Sequence, residues 1–262
     1  MHIKECSEAD VSLPTGMNGQ LIAGGAQADV FLDDGKALKV FKYPISETDV
    51  QYEADLQRKA FEYGLPVPKI YGITKVNGKR AIVMEYLNGA SLGEKILQNK
   101  ETLLDYLAKS VDIQINIHSY TADNFPAMKE RSVIRISSTD HLDKTQKDAL
   151  LKKISEMKFD NKLCHGDFHV NNLIETKEGI RIIDWVDASA GTAAADVCRS
   201  YLLYYLNAPE LAEVYLNLYC EKTSMTKEEI FLWEPIIAGI RLTEGVSEKE
   251  KNQIQGILKK YL

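Results

Sequence analysis

The chain has no excess of positive charge, few cysteines and no long apolar run. Its 262 residues carry 32 Lys and Arg against 38 Asp and Glu, for a net charge of -6. Without a basic run or a polybasic patch, it does not read as a binder of nucleic acid or of a membrane surface. The four cysteines, Cys6, Cys164, Cys198 and Cys220, are scattered and form no CxxC pair. That excludes a disulfide framework and a cysteine zinc site, and fits a reducing compartment. No apolar stretch reaches the roughly 20 residues that a spanning helix needs. The opening MHIKECSEAD has no apolar leader core. The expectation is a cytoplasmic protein with no nucleic-acid, membrane or obligate protein partner. Internal repeats and low-complexity segments are missing too. What is present, 45% hydrophobic and 27% charged residues, suffices for one domain or two lobes.

The first third reads as strands with one helix. LIAGGAQADVFL gives two short strands around a Gly-Gly turn, and ALKVFKY a third strand with near alternation. SETDVQYEADLQRKAFEYG reads as a helix of about four turns, with Ser46 as cap, Asp49 three residues on and Gly64 as stop. KIYGITKVNGKRAIVMEYL reads as a hairpin about Asn77-Gly78. After Asn88-Gly89 the pattern becomes helical, with TLLDYLAKSVDIQINIHSY and DKTQKDALLKKISEMK as amphipathic helices. A β-rich passage, LCHGDFHVNNLIETKEGIRIIDW, interrupts, with its turn at Lys177-Glu178-Gly179. More helices follow, and Thr226 with Glu229 and Ser247 with Glu250 fit capping boxes.

The informative segment runs from His165 to Asn172, HGDFHVNN, followed by Ile182-Ile183-Asp184-Trp185, with Asp184 twelve residues after Asn172. Asp167 and Asn172 lie five apart in a loop entering a strand, and Asp184 ends the next strand. A hairpin would bring the three side chains to one edge. Two carboxylates and an amide oxygen are hard ligands suited to magnesium. Phosphoryl transfer needs such a set, because metal ions neutralise phosphate oxygens while a carboxylate accepts the proton of the acceptor hydroxyl.

HGDxHxxN followed by IDW resembles the signature of the aminoglycoside phosphotransferase and choline kinase superfamily, which shares its fold with the protein kinases. The resemblance extends through Asp187-Ala188, Gly191 and Asp196. It departs at Val186, where the family often has an acid, and at Thr192-Ala193, where it often has Asp-Pro. The resemblance implies an α+β, bilobal protein-kinase-like fold. A small N-terminal β-sheet lobe with one helix (1–88) would bind nucleotide. A larger, mostly helical C-terminal lobe (89–262) would be catalytic. It also implies ATP as phosphoryl donor, magnesium as metal and a small-molecule hydroxyl as acceptor. Asp167 then resembles the catalytic base, and Asn172 and Asp184 the magnesium ligands.

The same resemblance assigns the N-terminal half. Gly24 and Gly25 would sit over the phosphates, although the segment lacks a full GxGxxG. Lys39 resembles the strand lysine that holds the α- and β-phosphates, with Lys36 and Lys42 as rivals. Glu53 resembles the helix glutamate that orients this lysine, with Asp49 and Glu47 as alternatives. Met84 would back the adenine pocket, and backbone groups of Glu85 and Leu87 would bond the adenine edge. His165, His169 and His118 read as structural, and Asp196 as a residue that fixes the catalytic loop or caps the next helix. Cys164 adjoins the motif without a general base.

Three other readings stay open or fall. A nucleotide-sensing pseudokinase would not need the complete base and metal set. A protein kinase would have an Arg where Gly166 stands and a DFG-to-APE segment, and neither is present. Aminoglycoside resistance is the runner-up acceptor class, since His169 departs from the 3'-type enzymes. Residues 196–240 hold seven acids against three bases. That balance would tolerate a cationic acceptor and equally describes a solvated helical face. The tyrosines between 201 and 219 could line an acceptor pocket or belong to the core.

Overall fold

The structure is a computed structural model that describes residues 19–261. Cys6, the opening stretch read for a leader, and Leu262 lie outside the described residues.

In chain order the elements begin with β1 (Gln20–Gly24), β2 (Ala28–Asp33), β3 (Lys36–Phe41), α1 (Glu47–Glu62), β4 (Ile70–Val76) and β5 (Lys79–Glu85). Next come β6 (Ala90–Ser91), α2 (Leu92–Gln98), α3 (Leu103–Ser119), α4 (Met128–Ser138) and α5 (Lys144–Glu156). After these, β7 (Lys162–Cys164), β8 (Leu173–Thr176), β9 (Gly179–Ile182) and β10 (Ser189–Gly191) lead to the final helices. These are α6 (Ala193–Tyr205), α7 (Pro209–Thr223), α8 (Lys227–Phe231), α9 (Glu234–Arg241) and α10 (Glu248–Leu258). This is the expected α+β order, an antiparallel N-terminal sheet followed by a mostly helical part.

The chain folds into two compact units. One holds the described residues up to Gln98 together with Asn171–Val186; the other holds Asn99–Val170 and Asp187 onward.

In the first unit five strands pair in the order β1-β2-β3-β5-β4, all antiparallel. The β4–β5 turn places Asn77 at φ 50° and Gly78 at φ 78°. Two successive left-handed residues are what a tight I′ hairpin needs, and Asn-Gly tolerates them best. Side chains alternate across the sheet. Phe31, Leu38, Val40, Val76 and Ala81 pack on one face, and Ala28, Phe41 and Ile82 pack on the other with Val50 and Ala54 of α1. Ser46 caps α1, its hydroxyl accepting from the Asp49 N–H at 3.0 Å. Val50, Glu53, Ala54 and Gln57 fall on one side of that helix at helical spacing. Lys39 lies two residues before Phe41 and so faces α1.

A second, three-stranded sheet in this unit has the order β6-β8-β9. It is tied to the α1–β4 connection by Ile182 N–H to Pro66 O at 2.8 Å. Arg181 adds bonds to Val67 O at 2.9 Å and the Glu85 carboxylate at 2.7 Å.

The second unit is helical, with β7 and β10 as a short antiparallel pair. Its core includes Leu107, Val111, Ile117, Leu150, Ile154, Leu202 and Ile254, all fully buried. Tyr201, Tyr204, Tyr215 and Tyr219 are buried as well, which assigns these tyrosines to packing. The capping boxes at Thr226/Glu229 and Ser247/Glu250 are formed. Among the described residues, no helix is long and apolar enough to cross a membrane.

Candidate active site

Lys39 is the centre of the first unit's polar cluster. Its Nζ lies 2.6 Å from Glu53 Oε1 and 3.4 Å from Asp184 Oδ1. Burial works against the ammonium, but Asp184 and Glu53 together outweigh it and raise its pKa above the ordinary lysine value. The rival Lys42 pairs with Asp29 at 3.0 Å, and Lys36 stands over the Tyr71 ring. Of Glu53's alternatives, Glu47 pairs with Arg80 and Asp49 bonds Ser46.

Asp184 reaches Lys39 because of the β8–β9 hairpin. Leu173 pairs with Ile182, and the Ile183 N–H donates to Asn172 O at 3.0 Å. Asn172 and Asp184 are thus carried at neighbouring ends of adjacent strands. Asp184 adopts φ 66°, a conformation uncommon for a residue with a side chain and tolerated best by Asn and Asp. The following Trp185 is buried and donates its indole N–H to Ile182 O at 3.2 Å.

The strand end at Met84–Glu85 is firmly held. Gln57 donates to Pro68 O at 2.7 Å and lies against the Met84 sulfur. The Glu85 N–H is committed to Lys69 O at 2.9 Å, and its carboxylate accepts from the Lys69 N–H and Arg181. Any adenine contact from Glu85 therefore falls to its carbonyl. Leu87 O accepts from the Gly89 N–H at 3.0 Å. Gly24 ends β1, and the Gly25 N–H bonds Ala28 O at 2.9 Å, so that amide is not presented to a phosphate.

Asp167 lies in the second unit, in a loop fixed from beneath. The buried Asp196 carboxylate accepts from the Gly166 N–H at 2.7 Å, the His165 N–H at 3.3 Å and the Gln114 amide at 3.1 Å. His118 Nε2 stands 2.9 Å from the same carboxylate, and its Nδ1 meets Tyr219 Oη at 2.8 Å. His165 Nδ1 accepts from the Asp167 N–H at 3.2 Å. Arg199, which sequence reasoning missed, donates Nε to Gly166 O at 3.1 Å and approaches Asp167 Oδ1 at 3.5 Å. Its other partner is Glu244 at 2.7 Å. His169 Nε2 lies 3.6 Å from Asp167 Oδ2. It touches the carboxylate itself, where the sequence suggested only a loop-backbone role.

Burial alone would push the Asp167 carboxyl up. His169, Arg199 and His165 outweigh it and hold the carboxyl well below the usual range. Burial pushes the Cys164 thiol well up, which leaves no thiolate for chemistry near neutrality.

Gly166 has φ 82°, and a Cβ there would lie 2.4 Å from Asp187 O. Gly166→Ala is expected to cost at least about 1–2 kcal/mol from the left-handed backbone alone, and more because Asp187 must move. Urea unfolding would measure this; a wild-type midpoint would show that the loop is not confined as described.

Kinase-like phosphotransferases combine such a lysine–glutamate pair with an aspartate-bearing loop. A model of the phosphotransferase enzyme family matches residues 18–231, and the chain belongs to that family; by class it is a small-molecule kinase. Solved structures share the fold at low identity. Aminoglycoside phosphotransferase APH(4)-Ia, as a thermostable mutant in apo form, aligns with TM-score 0.68 at 15% identity, over 93% of this chain and 94% of that one. A ternary complex of such a mutant with ADP and hygromycin B gives 0.68 at 14%, over 93% and 94%. Choline kinase LicA from Streptococcus pneumoniae gives 0.65 at 18%, over 93% and 92%. No curated protein matches the chain.

Proposed function

We propose that this chain transfers the γ-phosphoryl group of ATP to a hydroxyl of a small molecule, with magnesium held by Asn172 and Asp184. The observation that carries this is the convergence of Lys39, Glu53 and Asp184 from β3, α1 and the end of β9. Glu53 holds the ammonium in place, so Lys39 can bind phosphate oxygens at little cost in side-chain freedom. Met84, the Glu85 carbonyl and the Leu87 N–H would receive the adenine, and Gly24 and Gly25 would lie over the phosphates.

Asn172 and Asp184 offer an amide oxygen and a carboxylate. That set suits magnesium, which takes one or two carboxylates and completes its shell with phosphate oxygens and water. When bound, the metal neutralises charge on the phosphate oxygens. Asp167, ionised throughout the neutral range, orients the acceptor hydroxyl and accepts its proton as the new O–P bond forms and ADP departs. Arg199 and His169 keep its carboxylate oriented. Most of the rate gain comes from positioning and electrostatics.

The test is release of ADP from Mg-ATP by purified protein, run against aminoglycosides, amino alcohols, sugars, macrolides and hydroxy acids. Absence of Mg-ATP binding would sink the proposal. Lys39→Met removes a charge-assisted contact and leaves Glu53 and Asp184 without their shared cation. Mg-ATP affinity is expected to fall about 10- to 150-fold, the equivalent of roughly 1.5–3 kcal/mol. Calorimetric titration would read this directly, and an unchanged affinity would remove Lys39 from the nucleotide site.

A further inference from the structure

We infer that the acceptor carries an anionic group, a carboxylate or a phosphate, received by Arg131, Arg135 and Arg199; this rests on the phosphotransferase reading above. The second unit contains a cavity of about 60 Å³ whose wall includes Gly166, the residue before Asp167. Arg131, Arg135 and Arg199 all line it. Arg131 and Arg135 lie one turn apart on α4 and both reach the Asp187 carboxylate. Arg199 arrives from α6 and is only 5% exposed. Its Nε and Nη2 are bonded to Gly166 and Glu244, but Nη1 is buried with no hydrogen-bond partner among the described residues. A buried charged donor left unmatched is costly, and the residue that carries it belongs to the cavity wall.

The charge balance favours the same occupant. The three guanidinium groups share Asp187 and Glu244, Glu244 is also held by Arg241, and Arg199 stands near Asp167 as well. Asp196 is already held by His118, Gln114 and the loop amides. A cationic group placed here would meet like charge from two helices, from Arg131 and Arg135 on α4 and from Arg199 on α6. The volume admits roughly four water-sized groups, enough for a carboxylate or phosphate but not for a whole sugar. The rest of the acceptor must therefore extend toward Asp167. Arg199 joins the two places, since its Nη2 stands 3.5 Å from Asp167 Oδ1. The acceptor is thus a compact hydroxy acid or a phosphorylated alcohol, with its reacting hydroxyl a short way from its charge.

The test uses the full chain and thermal unfolding with three probes: inorganic phosphate, glycolate and, as a cationic control, ethanolamine. Arg131→Gln and Arg135→Gln alter half-buried side chains, and their unliganded melting points report folding. Arg135→Lys keeps the charge but loses the fork. Lys39→Met removes the other phosphate-binding cation, in the first unit. Phosphate or glycolate should raise the melting point of the wild type and of Lys39→Met alike. Either glutamine variant should raise the half-maximal anion concentration about tenfold, the loss of one charge-assisted contact. Arg135→Lys should fall between, and ethanolamine should do nothing. A response to phosphate alone assigns a phosphorylated acceptor; a response to glycolate alone assigns a carboxylate. The proposal is overturned if neither anion shifts the wild type. It is also overturned if the shift survives both glutamine variants, or vanishes only in Lys39→Met. Mg-ATP binding is scored separately, so failure of the kinase reading would be seen as such.

Discussion

Asp167→Asn should lower turnover by about 10²- to 10⁴-fold, the range ascribed to a positioned general base. Asparagine keeps the shape of the side chain and its place above Gly166, but it cannot take a proton. The loop should persist, because its anchors are Asp196 and Arg199 rather than the Asp167 carboxylate. Mg-ATP affinity should also persist, since the residues proposed to bind nucleotide belong to the other compact unit. The measurement is single-turnover ADP release beside calorimetric Mg-ATP titration. Loss of both binding and turnover would point to misfolding, and retention of both would remove Asp167 from the chemistry.

The acid side of the pH profile follows from the same carboxyl. Its folded-state pKa lies below that of the unfolded chain. Its stabilising contribution is therefore complete above the unfolded value of about 3.9 and is lost as pH falls through the folded one. Ionisation of the base should set no limit on activity between neutrality and pH about 4.

Asp196→Ala should cost about 3–5 kcal/mol, the penalty for breaking a buried charged pair by removing one partner. Asp196 is 1% exposed and gathers the amides of His165 and Gly166, the Gln114 side chain and the His118 ring. Without the carboxylate these donors stay buried and unmatched, and the HGD loop loses its anchor. Burial raises the Asp196 carboxyl, but the bond from His118, its charge and Gln114 prevail and lower it. Its contribution is thus also present above the unfolded carboxylate value and disappears as pH falls through the lowered one. Urea midpoints for wild type and variant should differ most near neutrality and converge on acidification. A constant gap would mean that Asp196 supports the loop by packing rather than by charge.

The elements with local signals were legible in the sequence. Asn77-Gly78 announced a hairpin, and Ser46, Thr226 and Ser247 announced helix starts because their side chains cap the residues just ahead. Lys39 and Glu53 were reached through the family resemblance, with Lys36, Lys42, Asp49 and Glu47 as rivals, and the fold brings these two together. The helix α4 was missed, as it begins after Ala127 with no side-chain cap. Arg199 was missed for a different reason. It sits in an apolar helix, and its partners Gly166 and Glu244 are 33 and 45 residues away. Arg131 and Arg135 acquire meaning only when the fold brings Asp187 to them. The charge count between 196 and 240 took in Arg199 as one of three bases and left out Arg131 and Arg135.

The unit that holds Lys39 is assembled from two stretches of chain separated by residues 99–170. Ala90–Ser91 must wait for Ile174–Glu175 before β6 can pair. A ribosome makes the sheet and α1 early, but Asn172 and Asp184 arrive only after three helices of the other unit have been synthesised. Closing so large a loop carries an entropic cost that the late hairpin must repay. A nascent chain can thus form the Lys39–Glu53 pair long before it owns the third member of the cluster. The proposed nucleotide site is then incomplete until residues 172–184 have been made, and a fragment ending at Gln98 would carry the lysine without the residues proposed to hold its metal.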